Sequence, residues 1–205
     1  MVDVPPTSHA SLEPAVQTWL LHWARRSIRA ASEGARMPTA SDIPQQAEQK
    51  RGCFVSLHTL KGALRGCIGT FSEHAPLWRQ VHDMGVAAAT NDPRFSPLRP
   101  DELGSCRLEI SVLSPRVPAT PEQIEVGIHG VWVARGNLSG VLLPQVPLQH
   151  GWDRETFLEH TCLKAGLPRA AWRDGSVELC SFTAEIFAEI FAEIGEDPQN
   201  VVDRP

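Results

Sequence analysis

The stretch CFVSLHTLKGALRGCIGTF, residues 53–71, limits the possible folds of this chain more than any other segment. Two apolar runs flank TLKGA, and Gly62 within it can supply the positive φ that a tight turn needs. Apolar runs joined in this way predict a β-hairpin, in which the two strands are antiparallel. A fold that contains this segment therefore includes antiparallel sheet.

Helical and strand-like patterns alternate irregularly along the rest of the chain. Apolar residues recur at helical spacing from Leu12 and again over residues 76–90, and Asp153 and Gly166 are typical ends of a further helix. Strands are predicted in SCRLEISVLSP and on both sides of RGNLSG, which would make a second hairpin. This order predicts an α+β fold with mainly antiparallel strands.

The segment SVELCSFTAEIFAEIFAEIGED contains a tetrapeptide repeat, AEIF-AEIF-AEIG. Its even positions, from Phe182 through Ile186 to Ile194, are apolar, which fits a strand. The spacing of four between the isoleucines fits a helix equally well, so periodicity leaves both structures open. At the other end of the chain, residues 1–11 are polar and contain prolines, which predicts a flexible N-terminus.

Charge and hydropathy exclude several classes of function. The formal net charge of −5 argues against general nucleic-acid binding, which needs a basic surface to displace phosphate counterions. No run of 18 apolar residues is present, so no membrane span is expected. The start lacks the basic and apolar regions of a secretory signal. These observations predict a cytoplasmic chain.

The five cysteines are unevenly spaced, and no pair has the spacing C-x-x-C. An odd number of cysteines without that spacing predicts that the thiols are reduced and that the chain has neither a disulfide framework nor a zinc knuckle. Because free cysteine is commonly a buried small apolar residue, at most one of the five is expected to react. The histidines show no metal-ligand spacing and no phosphate-binding glycine loop occurs, so neither a metal nor a nucleotide cofactor is predicted.

The motif LRGCIG makes Cys67 the cysteine best suited to chemistry. Side chains alternate along a strand, so Arg65, Cys67 and Gly69 share one face and Gly66 lies on the other. The two glycines leave room for a ligand or another backbone, and a cation such as Arg65 favours the thiolate that a nucleophile requires. In the alternative interpretation, the strand packs tightly against the alanine-rich helix at residues 76–90 while Arg65 pairs with a carboxylate.

Two further residues are candidates for proton transfer. Glu109, on the polar face of RLEISV, can act as a general base or as the counter-ion of Arg65 or Arg94. It can equally be a solvated acid. His129, between glycines in GIHGV, is the candidate base for Cys67, since Cys/His pairing is a common mode of activation. A hairpin histidine with a satisfied hydrogen bond is the alternative.

Three residues outside the strands are candidates for substrate binding, together with Gly66 and Gly69. In NDPRF, Arg94 beside Asp92 can bind a carboxylate or phosphate in fork geometry. The alternative is a helix end at which Arg94 is tied to a surface acid. Gln145, at the end of LLPQV, can hydrogen-bond a ligand amide or carboxylate, or the backbone of its own loop.

Several stretches occur in the order seen in AMMECR-type domains of the AmmeMemoRadiSam system: LRGCIG, AAATNDPRFSPL, LEISVLS, GIHGV, LLPQV and GWDRETFLEHTCLKAGLP. The chain resembles this family over residues 12–190, which implies a single domain there and a C-terminal tail at 191–205. The resemblance implies two lobes around a cleft, with antiparallel sheets. It also favours strand over helix up to about Phe187, and the copies of the tetrapeptide beyond it depart from the family.

The resemblance further implies Memo-type and radical-SAM proteins as partners. Memo-type proteins resemble extradiol dioxygenases. Two hypotheses for function follow. In the first, the chain is an enzyme in which Cys67 is the nucleophile or thiol ligand for a small anionic or carbonyl metabolite. In the second, it is a non-catalytic module that docks a peptide or a protein in the same cleft.

Overall fold

A computed structural model describes residues 11–189 of the chain. The tail predicted at residues 191–205 lies outside this range, and so do all but the last residue of the segment predicted to be flexible at residues 1–11. The copies of the tetrapeptide that follow Glu189 lie outside it as well. The described residues divide into two compact units, and each unit has its own sheet and its own apolar core.

Helices and strands alternate irregularly in the structure, as the sequence predicts. In chain order they are α1 (Pro14–Glu33), β1 (Cys53–Thr59), β2 (Leu64–Thr70), α2 (Leu77–Thr90), β3 (Cys106–Leu113), β4 (Val117–Pro118), β5 (Gly130–Arg135), β6 (Leu138–Leu142), α3 (Gln145–His150), α4 (Arg154–Lys164), β7 (Glu178–Phe182) and β8 (Ala184–Ala188). Together with two antiparallel sheets, these elements confirm the α+β class. None of the described helices is long and apolar enough to cross a membrane.

The first unit comprises residues 11–112 and 185–189 and contains the sheet β2-β1-β3-β8. One face of this sheet carries the alternate apolar residues of β1 and β3, which form a core with α1 and α2. Val55, Leu57 and Ile110 in that core are fully buried. The opposite face carries Phe54 and mostly polar residues, and β2 is an edge strand. The polar candidate residues of β1, β2 and β3 therefore lie on the face opposite to the apolar core.

The hairpin at residues 53–71 is confirmed, with a one-residue irregularity. Gly62 has a φ of 84°, and the Thr59 N–H donates to the carbonyl of Ala63 across the turn. The register between β1 and β2 shifts between Leu57 and His58, which is the signature of a β-bulge. Beyond the bulge the strands pair regularly up to the end of β2.

The second unit comprises residues 113–184 and contains the sheet β4-β7-β5-β6 with α4. The second predicted hairpin is confirmed as β5 and β6, and Gly136 in its turn has a φ of 59°. Both predicted ends of α4 are confirmed. The Asp153 side chain accepts a hydrogen bond from the Thr156 N–H at 2.8 Å, and Gly166 has a φ of 73°.

The C-terminal patterned segment forms strands up to Ala188, so the helical alternative is wrong for this part of the repeat. The apolar even positions do not form one buried face, however. Thr183 separates β7 from β8, and the two strands belong to different sheets. In β8 it is Phe187 that is buried, whereas Ile186 is 39% exposed. A single alternation cannot describe a chain that leaves one sheet for another.

Candidate functional site

Among the five cysteines, Cys67 differs from the others in its accessibility. The other four side chains are buried, whereas Cys67 is half-buried. Burial raises the pKa of the thiols of Cys106, Cys162 and Cys180, and burial together with the charge of Asp83 raises that of Cys53. Raised values keep a thiol protonated and unreactive. Among the five cysteines, all of which lie within the described residues, Cys67 is therefore the one that is not buried.

Two residues of the loop after α2 hold the peptide of Cys67, and we call them the Asp92–Arg94 clasp. The Cys67 N–H donates to Oδ2 of Asp92 at 2.8 Å, and Nη2 of Arg94 donates to the Cys67 carbonyl at 2.9 Å. At the edge of a sheet these outward groups would otherwise lack a strand partner. The clasp satisfies both groups and fixes the position of Cys67 in β2.

The clasp is itself an ion pair of unequal exposure. Nε and Nη2 of Arg94 donate to the two carboxylate oxygens of Asp92 at 2.9 and 2.7 Å. The Asp92 side chain is 2% exposed and that of Arg94 is 53% exposed. The hydrogen bond from Arg94, with that from the Cys67 N–H, holds the pKa of Asp92 far below its usual range. Arg94 is therefore tied to an acid, as in the alternative interpretation of NDPRF, but the acid is buried.

The Cys67 sulfur has a hydroxyl donor on the neighbouring strand. Ser56 lies opposite Cys67 in the register of β1 and β2. Because the clasp takes the outward backbone groups of Cys67, the two residues form a non-hydrogen-bonded pair, in which side chains approach most closely. Oγ of Ser56, a residue only 6% exposed, donates to Sγ of Cys67 at 3.1 Å. This hydrogen bond fixes the position of the sulfur beside β1.

Cys67, Ser56 and Glu109 form a polar row across three strands. Ser56 pairs with Cys67 on one side and with Glu109 of β3 on the other. With strands about 4.8 Å apart, the Cα atoms of Cys67 and Glu109 are about 10 Å apart. The carboxylate of Glu109 has Arg107 as its ion-pair partner at 3.5 Å. Glu109 therefore shares a face with the thiol but does not serve as the counter-ion of Arg65 or Arg94.

Arg65 is paired with a different acid from the one that the sequence suggests. Its Nε and Nη2 donate to the two carboxylate oxygens of Glu102 at 3.2 Å each. This hydrogen bonding is the largest cause of the lowered pKa of Glu102. The guanidinium carbons of Arg65 and Arg94 lie 6.0 and 5.5 Å from the centre of the Phe95 ring. The cation that contacts Cys67 is thus Arg94, at its carbonyl, and Arg65 pairs with a carboxylate as the alternative interpretation states.

The two glycines of the motif are packed against protein and do not provide an opening. A Cβ at Gly66 would overlap the carbonyl oxygen of Ala88 in α2. A Cβ at Gly69 would overlap the ring of Phe54. The close approach of α2 to Gly66 matches the alternative in which the strand packs against the alanine-rich helix, and the role of Gly66 and Gly69 in substrate binding stays a prediction.

His129 and Gln145 belong to the second unit. Nδ1 of His129 accepts a hydrogen bond from the Glu125 N–H at 3.1 Å, which matches the alternative of a satisfied hairpin histidine. Oε1 of Gln145 is buried and has no hydrogen-bond partner in the part of the chain that the structure describes. The predicted role of His129 as the base for Cys67 and the predicted role of Gln145 in ligand binding both stay predictions.

Sequence reasoning missed two residues on the face of Cys67, Ser56 and His58. His58 lies two positions after Ser56 on β1, and its Nε2 is buried without a hydrogen-bond partner among residues 11–189. The position of the hairpin turn was the one sequence signal that could have indicated which residue of β2 lies opposite Ser56. Counting back from the pairing of Thr59 with Ala63 would place Ser56 opposite Gly66, and the bulge moves it by one residue to face Cys67.

Comparison with known proteins identifies a family for this chain. The AMMECR1 family model matches residues 21–187. A protein of Nanoarchaeum equitans is 39% identical over 173 residues, covering 81% of this chain and 96% of that protein. A protein of Thermococcus gammatolerans is 41% identical over 182 residues, covering 83% of this chain and 89% of that protein.

A solved structure shows the same fold. The crystal structure of an uncharacterized protein from Pyrococcus horikoshii superposes with a TM-score of 0.83 at 38% sequence identity, covering 87% of this chain and 93% of that one. The matched residues include the Cys67 hairpin and the Asp92–Arg94 clasp. The chain therefore belongs to the AMMECR1 family.

Proposed function

We propose that this chain is a cysteine-dependent enzyme in which Cys67 bonds reversibly to a small carbonyl compound that also carries a carboxylate. The observation that carries the proposal is the half-buried residue Cys67, whose sulfur has a hydroxyl donor at 3.1 Å and whose peptide is held at both its N–H and its C=O. A fixed backbone and a directed donor are the features that position a nucleophile for attack.

The bond-forming step needs no oxidant or reductant. The sulfur attacks the carbonyl carbon, a C–S bond forms, and the electron pair of the C=O π bond moves to the oxygen. The proton lost by the thiol ends on that oxygen, which gives a hemithioacetal. Ser56 positions the sulfur before attack. His58 and Glu109, on the same sheet face, are the proton carriers of the first unit in this proposal, and His129 is the carrier predicted from the sequence.

Arg94 supplies the binding group for the substrate carboxylate. A guanidinium has five N–H donors, and the hydrogen bonds of Arg94 to Asp92 and Cys67 use its Nε and Nη2. More than half of the Arg94 side chain is exposed, and these hydrogen bonds do not use Nη1, so we assign Nη1 as the donor to a small anion. A carboxylate bound there would lie beside the peptide that carries the thiol.

Glyoxylate tests the proposed substrate class, because it combines an aldehyde with a carboxylate. We expect saturating glyoxylate to slow the alkylation of Cys67 by iodoacetamide about fivefold or more. Acetate and acetaldehyde, which each carry one of the two groups, should slow it less than about twofold at the same concentration. The measurement is the alkylation rate of the Cys67 peptide by mass spectrometry, with glutathione as the control thiol. Protection by glyoxylate that is no greater than for glutathione would overturn the proposed chemistry.

A non-catalytic docking module is the second candidate, and the ion pairing at the site favours it. Arg94 is balanced by Asp92 and Arg65 by Glu102, so the two guanidiniums give the thiol little net positive charge. Such a surface can bind a ligand without forming a bond. Calorimetric binding of glyoxylate by Cys67→Ser with unchanged affinity would favour this candidate, whereas its loss supports covalent capture.

We also propose that the chain works in the cytoplasm with Memo-type and radical-SAM proteins. The support is the family resemblance of its motifs and the five unpaired cysteines, which fit a reducing compartment. Co-purification of a Memo-type protein from the same cell with the tagged chain, but not with a tag-only control, is the expected result. Its repeated failure at native expression levels would count against the partnership.

A further inference from the structure

The C-terminal strand of the first unit has a second copy of its own sequence four residues later. Residues 184–189 read AEIFAE, and residues 188–193 read AEIFAE again. The first copy forms β8 and the residue after it, Glu189. We call the position of these six residues in the sheet the β8 site. The groups that surround this site make specific contacts with three of the six side chains.

Glu185 occupies a polar part of the β8 site, next to the start of α1. Its carboxylate accepts hydrogen bonds from Ser11 Oγ at 2.7 Å, from the Leu12 N–H at 2.9 Å and from Gln17 Nε2 at 3.0 Å. An apolar residue could not accept these hydrogen bonds, and Nη1 of Arg51 lies 3.9 Å from the same carboxylate. This part of the site therefore favours a carboxylate.

Glu189 and Phe187 occupy the buried part of the β8 site. The Glu189 carboxylate forms an ion pair with Arg25 and accepts a hydrogen bond from the Leu108 N–H at 2.9 Å. The Glu189 side chain is 7% exposed. Phe187, 9% exposed, belongs to the apolar core of the unit. These contacts require an acid and a large apolar side chain two positions apart.

A shift of four residues would satisfy every one of these requirements. Because side chains alternate with a period of two, an even shift keeps each residue on the same face. Glu189 would take the place of Glu185, Phe191 that of Phe187, and Glu193 that of Glu189. The alanines and the isoleucine of the first copy would likewise be replaced by the alanines and the isoleucine of the second copy. The side-chain contacts of the β8 site therefore do not distinguish the two registers.

We propose that the β8 site exchanges between two registers of the chain, one occupied by residues 184–189 and one by residues 188–193. In the first register, only Thr183 joins β7 to β8. In the second, residues 183–187 make this connection. Lengthening a loop by a few residues costs little in closure entropy, so the second register is accessible in energy. Through this exchange, the segment that connects the two sheets can have either of two lengths.

Aspartate substitutions at the two phenylalanines test the exchange. In Phe187→Asp the observed register buries a charge, but a shift would bring Phe191 into the β8 site. We therefore expect F187D to lower the melting temperature by less than about 4 °C, and F191D by less than about 2 °C. The double variant has no phenylalanine for either register and should lose about 10 °C or more.

The decisive comparison is between F187D and the double variant F187D/F191D. A double variant that melts well below F187D supports the exchange. Equal melting temperatures overturn it, whether both values are near that of the wild-type chain or both are far below it. Phe182→Asp is the matched control for a buried phenylalanine without a second copy four residues later, and it should melt about as low as the double variant.

Discussion

Replacing Asp92 with asparagine should lower the free energy of unfolding by about 3 kcal/mol at pH 7. The buried carboxylate accepts hydrogen bonds from the Cys67 N–H and from Arg94 with both of its oxygens. An amide has one acceptor oxygen, so its NH₂ group would face donors and leave at least one of them unsatisfied. Urea unfolding followed by circular dichroism measures the loss.

The effect of Asp92→Asn should depend on pH in a defined direction. The pKa of Asp92 is far below its usual range in the folded chain and about 3.9 in an unfolded one. The unfolded carboxylate therefore takes up its proton first as the pH falls. The stabilisation is present in full above about pH 5 and is lost progressively below about pH 4. The difference between the wild-type chain and D92N should thus shrink as the pH falls from 5 toward 3.

Asp101 provides the matched control for this measurement. It also pairs with an arginine, Arg99, at 3.0 Å, but its side chain is 71% exposed. An exposed pair contributes little, so Asp101→Asn should leave the midpoint of urea unfolding nearly unchanged at any pH. A D92N effect as small as that of D101N, or one that does not change with pH, would contradict the clasp as we describe it.

Replacing Gly66 with alanine should have an effect of similar size, about 3 kcal/mol, for a steric reason. The added Cβ would overlap the carbonyl oxygen of Ala88, which is helix backbone and cannot rotate away. Strand β2 and helix α2 would have to separate. The loop with Asp92 and Arg94 follows α2 directly, so the separation would also weaken the clasp. Chemical denaturation gives the stability, and the alkylation rate of Cys67 reports on the clasp.

Gly104 is the control for the Gly66 substitution. It belongs to the same unit, and a Cβ built there has no atom within 4 Å. Gly104→Ala should therefore change stability by less than about 1 kcal/mol. If G66A is as stable as G104A, the strand and the helix are not packed as closely as the structure shows.

The elements that local signals specify could be predicted from the sequence. A turn with Gly62 predicts the first hairpin, and Asp153 and Gly166 predict both ends of α4, because each residue acts on backbone within a few positions of itself. The division of residues 178–188 between two sheets could not be predicted in the same way. Both strands have the same apolar period, and only contacts far apart in the chain separate them at Thr183.

The candidate site was predictable only in part. The motif and strand alternation single out Cys67 and place Arg65 on its face. They do not identify the acid that pairs with Arg65, because Glu102 lies 37 residues further along the chain. The hydroxyl donor was hidden by a bulge of one residue, which brings Ser56 opposite Cys67. A residue that strand register or a long loop brings to a site leaves no local pattern in the sequence.

The rate constant of iodoacetamide with each cysteine at pH 7, resolved by peptide mass spectrometry, tests the central claim most directly. Cys67 should react about fivefold faster than glutathione, because it is half-buried while the other cysteines are buried and a hydroxyl donor holds its sulfur in place. Removing that donor in Ser56→Ala should slow Cys67 about threefold, since the sulfur would lose the hydrogen bond that positions it. A Cys67 that reacts no faster than glutathione in the wild-type chain, and equally fast in S56A, would contradict its assignment as the reactive centre.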